Sequence, residues 1–322
     1  MSAAPRRSLV VPIYRNEENL EDLLVALKAL DAAVGGMEVV FVIDGSPDRS
    51  GELLVAAQPT MGFASTIAFH SRNFGSFTAI RTGMSLAKGE FIAVMAADLQ
   101  EPPELVETFF RKLEAGEADV VFGQRTERHD AFFRDAMSNT FWWLYRKLVV
   151  KDLPKGGVDI FACNRMVADA VLEITEPNTS LVAQLFWVGF RRAFVPYQRR
   201  PRLKGKSAWN FTRRMRYMMD SIFSFSDLPI LVVLWFGIMG CVLSLITGIA
   251  IIAARLSGYI TEPGYATLAV LITFSASAIL AVQGIIGCYL WRAFENTKRR
   301  PLRILSRVVT GGEAASVTAR TI

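Results

Sequence analysis

Residues 91–103, FIAVMAADLQEPP, decide the fold that the sequence predicts. The first six, 91–96, are apolar and have the length of a buried strand in a parallel sheet. Asp98 and Gln100 follow, and two prolines end the extended segment before a pattern with helical spacing begins. Ligands of open α/β sheets gather outside the carboxyl ends of such strands. A carboxylate and an amide two residues apart can face one metal ion or phosphate there.

Apolar segments of strand length recur on both sides of this stretch. Helical spacing follows the first of them, where leucines recur after Asn16, a predicted helix N-cap. Strands that alternate with helices predict an α/β fold with a parallel, doubly wound sheet. The other predicted strands are residues 8–14, 38–43, 66–70, 119–122 and 194–197.

Polar residues follow the predicted strands of the N-terminal half. The turn at residues 44–48, DGSPD, is rich in hydrogen-bond acceptors, and SRNFG follows the third strand. Within SRNFG, Arg72 and Asn73 are candidates either for binding a ligand or for holding their own loop. Because the carboxyl ends of parallel strands share one edge, these residues predict a nucleotide-binding cleft.

Two long apolar segments lie near the C-terminus. Hydrophobic residues make up 52% of the 322 residues, and the mean hydropathy is +0.30. Residues 230–254 and 265–291 contain no charged residue, and each exceeds the roughly 20 residues that cross a bilayer. Lys and Arg cluster before the first and after the second. The length of these segments predicts two transmembrane helices. By the positive-inside rule, the distribution of Lys and Arg predicts that both termini lie in the cytoplasm.

The predicted organisation has four parts. Residues 1–207 form a cytoplasmic domain, with an aromatic and basic interfacial helix near 131–150, and 208–228 form a juxtamembrane amphipathic helix. The two spans occupy 229–292, and 293–322 form a basic cytoplasmic tail. The net charge of +6 suits contact with anionic lipids. Small residues on the spans predict a homo-oligomer; they are Gly237, Gly240, Gly248, Gly284 and Gly287.

The cysteines and histidines exclude some kinds of site. Cys241 and Cys288 lie within the predicted spans and Cys163 stands apart, so neither a disulfide framework nor a zinc site is expected. His70 and His129 are predicted to be structural. Neither span contains an ionisable residue, which disfavours a channel or transporter subunit.

Six motifs together resemble the family 2 glycosyltransferases of GT-A fold. More narrowly, they resemble the polyprenyl-phosphate glycosyltransferases, the group that includes dolichyl-phosphate mannose synthase and the bacterial undecaprenyl-phosphate glucosyltransferases. Each motif alone is weak, but the six occur in the family's order and two apolar spans follow them. The motifs are VPIYRNEENL, VIDGSPD, SRNFG, AADLQEPPEL, GGVDIF and RPRLKGKSAW.

The resemblance implies an enzyme of the bacterial inner membrane. It would move a sugar from a nucleotide diphosphate, with a UDP-sugar favoured and UDP-glucose the first expectation, to undecaprenyl phosphate. The anomeric configuration would invert, and Mg²⁺ or Mn²⁺ would be the cofactor. A processive polysaccharide synthase would need a Gln-x-x-Arg-Trp motif and more spans, and the sequence has neither.

The resemblance also assigns the donor side. Pro12 and Tyr14 would line the nucleotide pocket, and Asn16 or Glu17 would lie near the ribose. Asp44 would face the base.

On the other side of the predicted cleft, the resemblance assigns the metal and the acceptor. Asp98 with Gln100 would hold the divalent ion on the diphosphate, and Asp159 would stand beside the acceptor phosphate as the candidate base. The acceptor phosphate, met near the membrane surface, would be bound by Arg202, Lys204 and Lys206.

Three positions depart from the family's pattern. Ala96 replaces the first Asp of the usual Asp-x-Asp metal motif, Ile43 replaces the first of two paired acids, and Arg15-Asn16 alters Tyr-Asn-Glu. One interpretation is a subgroup whose metal is held by Asp98 and Gln100, with Glu101 as a further candidate ligand. The alternative is weakened metal binding, and with it a membrane protein that binds a nucleotide sugar with weak turnover or none.

Overall fold

A computed structural model describes residues 6–126, 154, 158–176, 179–200, 228–258 and 264–311. The chain divides into two compact units, one of Met1–Met215 with Arg300–Ile322 and the other of Arg216–Arg299. The predicted interfacial helix, His129 and the basic loop with Arg202, Lys204 and Lys206 lie outside the described residues. So does the predicted juxtamembrane helix, except for its last residue, Leu228.

The first unit contains a sheet of eight strands. They are β1 (Arg7–Ile13), β2 (Glu38–Ile43), β3 (Ala64–His70), β4 (Phe91–Val94), β5 (Val120–Arg125), β6 (Val158–Asn164), β7 (Arg192–Tyr197) and β8 (Leu305–Thr310). The helices of this unit are α1 (Leu20–Val34), α2 (Ser50–Ala57), α3 (Ser76–Leu86), α4 (Pro103–Glu114), α5 (Arg165–Glu173) and α6 (Leu181–Trp187).

The sheet is mixed, with the order β7-β5-β6-β4-β1-β2-β3-β8. β1 pairs in parallel with β2 and β4, and β5 pairs in parallel with β7, but β6 runs antiparallel to both β4 and β5. The expectation of a fully parallel sheet was therefore wrong. An antiparallel strand returns along its neighbour and does not need a helical crossover.

Helix packing follows the apolar periodicity of the sequence. β2 is buried along its whole length, as expected for a central strand covered on both faces. On α4, Val106, Phe109, Phe110 and Leu113 recur at helical spacing and are buried in the same core as β2. Gly83 lets α3 approach β1, because a Cβ at this position would lie 2.2 Å from Val10 Cγ1.

The C-terminal segment adds an unexpected edge strand to this sheet. β8 pairs antiparallel with β3, and the Ser71 N–H donates to the Ile304 carbonyl at 3.0 Å. Part of the predicted basic tail is therefore a strand. Leu305 and Val309 are buried, and β8 covers an edge of β3 that would otherwise expose unpaired backbone groups.

The second unit consists of two long helices that contact each other, α7 (Leu228–Leu256) and α8 (Tyr265–Thr297). Within the described part of the chain, one segment, Phe274–Thr297 in α8, is both long and apolar enough to cross a membrane. α7 has 29 residues, and Arg255 is its one charged residue. The helices match the positions of both predicted spans, while the two-span anchor stays a prediction.

Candidate active site

The loops after β1 and β2 are joined by hydrogen bonds. Arg15 N–H donates to Ser46 Oγ at 2.7 Å, and Asn16 N–H donates to Ser50 Oγ at 3.1 Å. Arg15 has a φ of 54°, an unusual conformation for a non-glycine residue and one that often marks a functional site. The Asn16 side chain accepts from Tyr14 N–H at 3.0 Å and does not cap the following helical turn. Asn16 is therefore at the N-cap position, as predicted, but its side chain does not form the capping hydrogen bond.

Asp48 holds the same two loops together. Its carboxylate accepts from Ser46 Oγ at 2.6 Å, Ser50 Oγ at 2.8 Å and the Glu17 N–H at 3.1 Å. Burial raises the pKa of Asp48, but these hydrogen bonds outweigh it and place the pKa below its ordinary value. The Glu17 carboxylate in turn accepts from the Arg49 N–H at 3.1 Å. Both Asn16 and Glu17, predicted near the ribose, are thus part of the loop scaffold.

Asp44 fixes the loop after β3. Only 3% of it is exposed, and its carboxylate accepts from the Phe74 and Gly75 N–H groups and from His70 Nδ1, each at 2.8 Å. His70 Nε2 lies 2.8 Å from Thr82 Oγ1. This confirms His70 as structural. The carboxylate of Asp44 is directed to this network, and its predicted contact with a nucleotide base stays a prediction.

Gly45 allows the loop after β3 to lie against the turn after β2. Its φ is +58°, and a Cβ there would lie 2.3 Å from the Arg72 carbonyl carbon. Asn73 Nδ2 donates to the Asp44 carbonyl at 3.2 Å, so this side chain serves its own loop. The guanidinium of Arg72 lies over the Phe74 ring at 4.0 Å and is exposed. Pro12 and Tyr14 are half-buried at the end of β1, on the same edge of the sheet.

The loop after β4 carries Asp98 and Gln100, both half-buried. Leu99 between them has a φ of 52°, a conformation that costs free energy in a non-glycine residue. The Gln100 N–H lies 3.4 Å from Asp98 Oδ1, a long hydrogen bond. The two side chains predicted to share a metal ion therefore come from one strained turn at the carboxyl edge.

The segment after β7 contacts this turn. The Arg200 N–H donates to the Gln100 carbonyl at 2.8 Å, and Gln100 Nε2 donates to the Arg200 carbonyl at 3.3 Å. Arg199 Nε lies 3.3 Å from Glu101 Oε1. Glu101 is 1% exposed and its carboxylate is paired with this cation. Its role as a third metal ligand, suggested by the sequence, stays a prediction.

Asp159 lies near the start of β6. Because Phe91 at the start of β4 pairs with Asn164 at the end of β6, the first residues of β6 lie toward the carboxyl edge of β4. The backbone therefore brings Asp159 to the edge that carries Asp98. Cys163, further along β6, is buried, and burial raises the pKa of its thiol to about 12, which makes it a poor nucleophile.

The residues at this edge suit a divalent ion that takes most of its ligands from water and substrate phosphates. Among the described residues no group of three His, Cys, Asp or Glu side chains is placed to hold a metal. Mg²⁺ in phosphate-transfer sites commonly takes one or two carboxylates and completes its shell with water and substrate phosphates. One carboxylate, that of Asp98, beside the Gln100 amide meets this minimum.

The sequence did not reveal two of the contacts that shape the site. Asp44 and His70 are 26 positions apart, and Glu101 and Arg199 are 98 apart. A signal for the first pair was present, since a buried acid at a strand end needs a partner. The second pair had no comparable signal in the sequence.

Comparison with known proteins identifies the family. Residues 8–175 match the family described as glycosyl transferase family 2. The chain belongs to this family. A glycosyltransferase of Synechocystis sp. is 32% identical over 301 residues, which cover 93% of this chain and 94% of the relative. The chain is therefore a glycosyltransferase, with an α/β fold built on a GT-A-like mixed sheet.

Two further similar proteins have names or descriptions that state a substrate or ligand. The undecaprenyl-phosphate 4-deoxy-4-formamido-L-arabinose transferase of Klebsiella pneumoniae is 28% identical over 96% of this chain and 95% of its own length. The crystal structure of glucosyl-3-phosphoglycerate synthase from Mycobacterium tuberculosis with Mg²⁺ and UDP is 16% identical. It covers 68% of this chain and 80% of its own with a TM-score of 0.44, too low to support any inference here.

Proposed function

We propose that this glycosyltransferase moves a sugar from a nucleotide diphosphate to undecaprenyl phosphate at the bacterial cytoplasmic membrane. The observation that carries the proposal is the contact between the Asp98–Glu101 turn and Arg199-Arg200, the residues that lead into the basic loop 202–206. A donor diphosphate and an anionic acceptor both need cations. The turn would hold a divalent cation for the diphosphate, and the basic loop would supply arginine and lysine side chains for the acceptor. The acceptor named for the Klebsiella relative agrees with it.

The donor would bind at the carboxyl ends of β1, β2 and β3. Pro12 and Tyr14 would line the pocket, and Arg72 would supply an exposed guanidinium for a phosphate or the sugar. Asn16, Glu17, Asp44 and Asn73 hold the loops that carry these side chains. A UDP-sugar is the favoured donor, and UDP-glucose is the first to test.

Asp98 and Gln100 would hold Mg²⁺ or Mn²⁺. When bound, the ion would neutralise the charge that grows on the leaving diphosphate. The single carboxylate of Asp98 is required for this because Ala96 has no ligand to offer. Leu99, with its positive φ, fixes the two side chains before the substrate arrives.

The acceptor is already a nucleophile. A phosphate monoester has a second pKa of about 6, so its oxygen needs little help from a base at neutral pH. Arg202, Lys204 and Lys206 would bind the phosphate, and Asp159 would orient it toward the sugar. A single displacement of this kind inverts the anomeric centre and gives a β-linked product from an α-linked donor.

The helical unit would anchor the enzyme to the bilayer. Many of its large apolar side chains are exposed, among them Trp235, Met239, Ile272, Leu280 and Leu290. Such a surface is expected to face lipid or another protein chain. We propose two membrane spans with both termini in the cytoplasm. At Gly237 and Gly284 a Cβ would meet nothing within 4 Å among the described residues, which leaves room for a second copy.

One experiment tests the acceptor and the donor together. The purified full chain is incubated with Mg²⁺ or Mn²⁺, undecaprenyl phosphate and a panel of UDP- and GDP-sugars. A lipid product whose mass equals undecaprenyl phosphate plus one glycosyl residue (the sugar less one water) is expected, with release of the nucleoside diphosphate. Its anomeric configuration by NMR should be β, and an α-linked product from an α-linked donor would contradict inversion.

The second candidate is a nucleotide-sugar-binding protein without turnover. Ala96 favours it, because the family's usual first acid is missing. Binding of a nucleotide sugar in calorimetry, with no lipid product in either metal, would establish this alternative. Turnover of any donor in the panel would exclude it.

A further inference from the structure

Residues 303–307 bring the chain back to the sheet after α8, and we call them the return segment. They contact the loop of residues 71–75, which follows β3 and which we call the Arg72 loop. The Ser71 N–H donates to the Ile304 carbonyl at 3.0 Å, so the return segment holds the first residue of this loop. The carboxylate of Asp44 holds the last two residues. The two contacts therefore act on opposite ends of the Arg72 loop.

Arg303 restrains the helix that follows the same loop. Its Nη2 donates to Ser85 Oγ at 2.7 Å. Ser85 lies in the last turn of α3, and α3 begins at Ser76, directly after the loop. A helix of 11 residues moves as one body, so a bond at its last turn also restrains its first turn. Two adjacent residues of the return segment thus hold both flanks of the Arg72 loop.

The return segment also shapes the end of β3. Ser306 Oγ donates to the Phe69 carbonyl at 3.2 Å, and the guanidinium of Arg307 lies 5.6 Å from the centroid of the Phe69 ring. The pairing of β3 with β8 shifts register between Phe69 and His70. Irregularities of this kind bend a strand, redirect its side chains and are common beside active sites. The direction in which the chain leaves β3 therefore depends on β8.

Arg303 lies where its charge is unfavourable. It is half-buried, and burial lowers its pKa from the ordinary value. Arg81 on α3 is 6% exposed, and burial together with the charge of Arg303 lowers the pKa of Arg81 to about 10. A cation that disfavours the charge of a buried neighbour is costly to the fold. This cost favours a role for Arg303 beyond stability.

We propose that Arg303 is a positioning residue for the donor: with the Ile304 carbonyl, it holds the Arg72 loop in the conformation that presents Arg72 to the nucleotide sugar. The proposal rests on the proposed function, which assigns Arg72 to the donor. Arg303 itself does not touch substrate in this role. Its loss lowers the fraction of molecules whose loop is competent to bind, and the apparent affinity for the donor falls by that fraction.

The first test needs neither turnover nor ligand. Hydrogen exchange is measured on the full chain in detergent for the wild type, Arg303→Gln and the control Arg300→Gln, which changes an exposed arginine three positions earlier. Exchange in the peptide of the Arg72 loop should be faster in Arg303→Gln only, because the Ser71 N–H loses protection when the Ile304 carbonyl moves. Exchange equal to that of the control would overturn the proposal. Ser85→Ala removes the same contact from an exposed position and replaces Arg303→Gln if that variant does not fold.

The second test asks whether the effect reaches the donor through Arg72. UDP-glucose with Mg²⁺ is titrated by calorimetry into the same proteins, into Arg72→Ala and into the double variant. Arg303→Gln should raise the Kd about fivefold, as expected if about a fifth of the molecules keep a competent loop. In the Arg72→Ala background, Arg303→Gln should add less than about twofold, because the loop then has no guanidinium to position. Additive effects, or a Kd that Arg303→Gln leaves unchanged, would overturn the positioning role.

The two tests separate this proposal from the proposed function. If the wild type binds UDP-glucose but forms no lipid product, the acceptor assignment fails and the positioning role is still decided by the titration. If the wild type does not bind UDP-glucose, the proposed donor is wrong, and the role of Arg303 in binding that donor is overturned with it. The exchange measurement then still decides whether Arg303 holds the loop.

Discussion

The two sides of the candidate site are held together in different ways. On the donor side, Asp44 and Asp48 accept hydrogen bonds from residues of three successive loops, and both carboxylates are used by the scaffold. On the side of β4, Asp98 is half-buried and its contact with the Gln100 N–H is long. The comparison teaches that the acids on the proposed donor side build the loop scaffold. The acid proposed to hold the metal, Asp98, lies instead in a turn whose next residue, Leu99, has a positive φ.

Removal of Asp44 should give the largest loss of stability. Asp44→Ala leaves two main-chain N–H groups and the buried His70 without their acceptor, and each such loss costs about 1–3 kcal/mol. The free energy of unfolding should fall by about 3 kcal/mol or more in urea denaturation. The control is Glu90→Ala, which removes a well-exposed pair with Arg6. Equal losses in both variants would show that the donor side is not the rigid one.

Asp98→Asn should reduce the transfer activity far more than it reduces stability. Transfer should fall about 10²-fold or more, the scale of losing one electrostatic group at a developing charge, while urea stability changes little. Transfer should also stop in excess EDTA and return with Mg²⁺ or Mn²⁺. Full activity of metal-stripped protein in EDTA would remove the metal from the mechanism.

The basic loop should show a smaller and more selective effect. Arg202→Ala with Lys204→Ala removes two cations from the proposed acceptor site, and the KM for undecaprenyl phosphate should rise about tenfold. Affinity for the nucleotide sugar, measured by calorimetry, should stay within about twofold. The opposite result, with donor binding lost and the lipid KM unaltered, would assign the loop to the donor.

Asp48→Asn should have the smallest effect, and the effect should depend on pH. Hydrogen bonds lower the pKa of Asp48 from its ordinary value of 3.8, so its charge stabilises the fold above that value. The variant should lose about 1 kcal/mol of unfolding free energy at pH 7. The difference from wild type should shrink as the pH falls below 3.8 through the folded-state pKa. A difference that is constant with pH would show that the charge contributes nothing.

Local sequence patterns predicted most strands and the edge that carries the site. Residues 38–43 were predicted as a strand and form β2 with the same bounds. A nearly continuous apolar run of this length is typical of a strand that is buried on both faces. The polar residues that follow β1, β2, β3 and β4 lie along one edge, as expected for parallel strands. The family resemblance is confirmed, and with it the transferase activity.

The missed elements depend on partners distant in the chain. β8 was hidden because its apolar residues, Leu305 and Val309, sit in a segment dominated by positive charge, and nothing local shows that β3 has a free edge. β6 begins after two glycines, which indicated a turn. Its place between β4 and β5 is decided by tertiary contacts and not by the local sequence. For the same reason the contact between Glu101 and Arg199 could not be predicted from the sequence.

The strand β8 also determines how a soluble form of this domain can be made. Because the chain re-enters the sheet after α8, the two apolar helices are an insertion within the domain and not an extension of it. Cutting the gene before α7 would delete β8 and expose the edge of β3, which invites aggregation. Excision of the helices, with a flexible linker in their place, keeps β8 in the protein and the sheet whole.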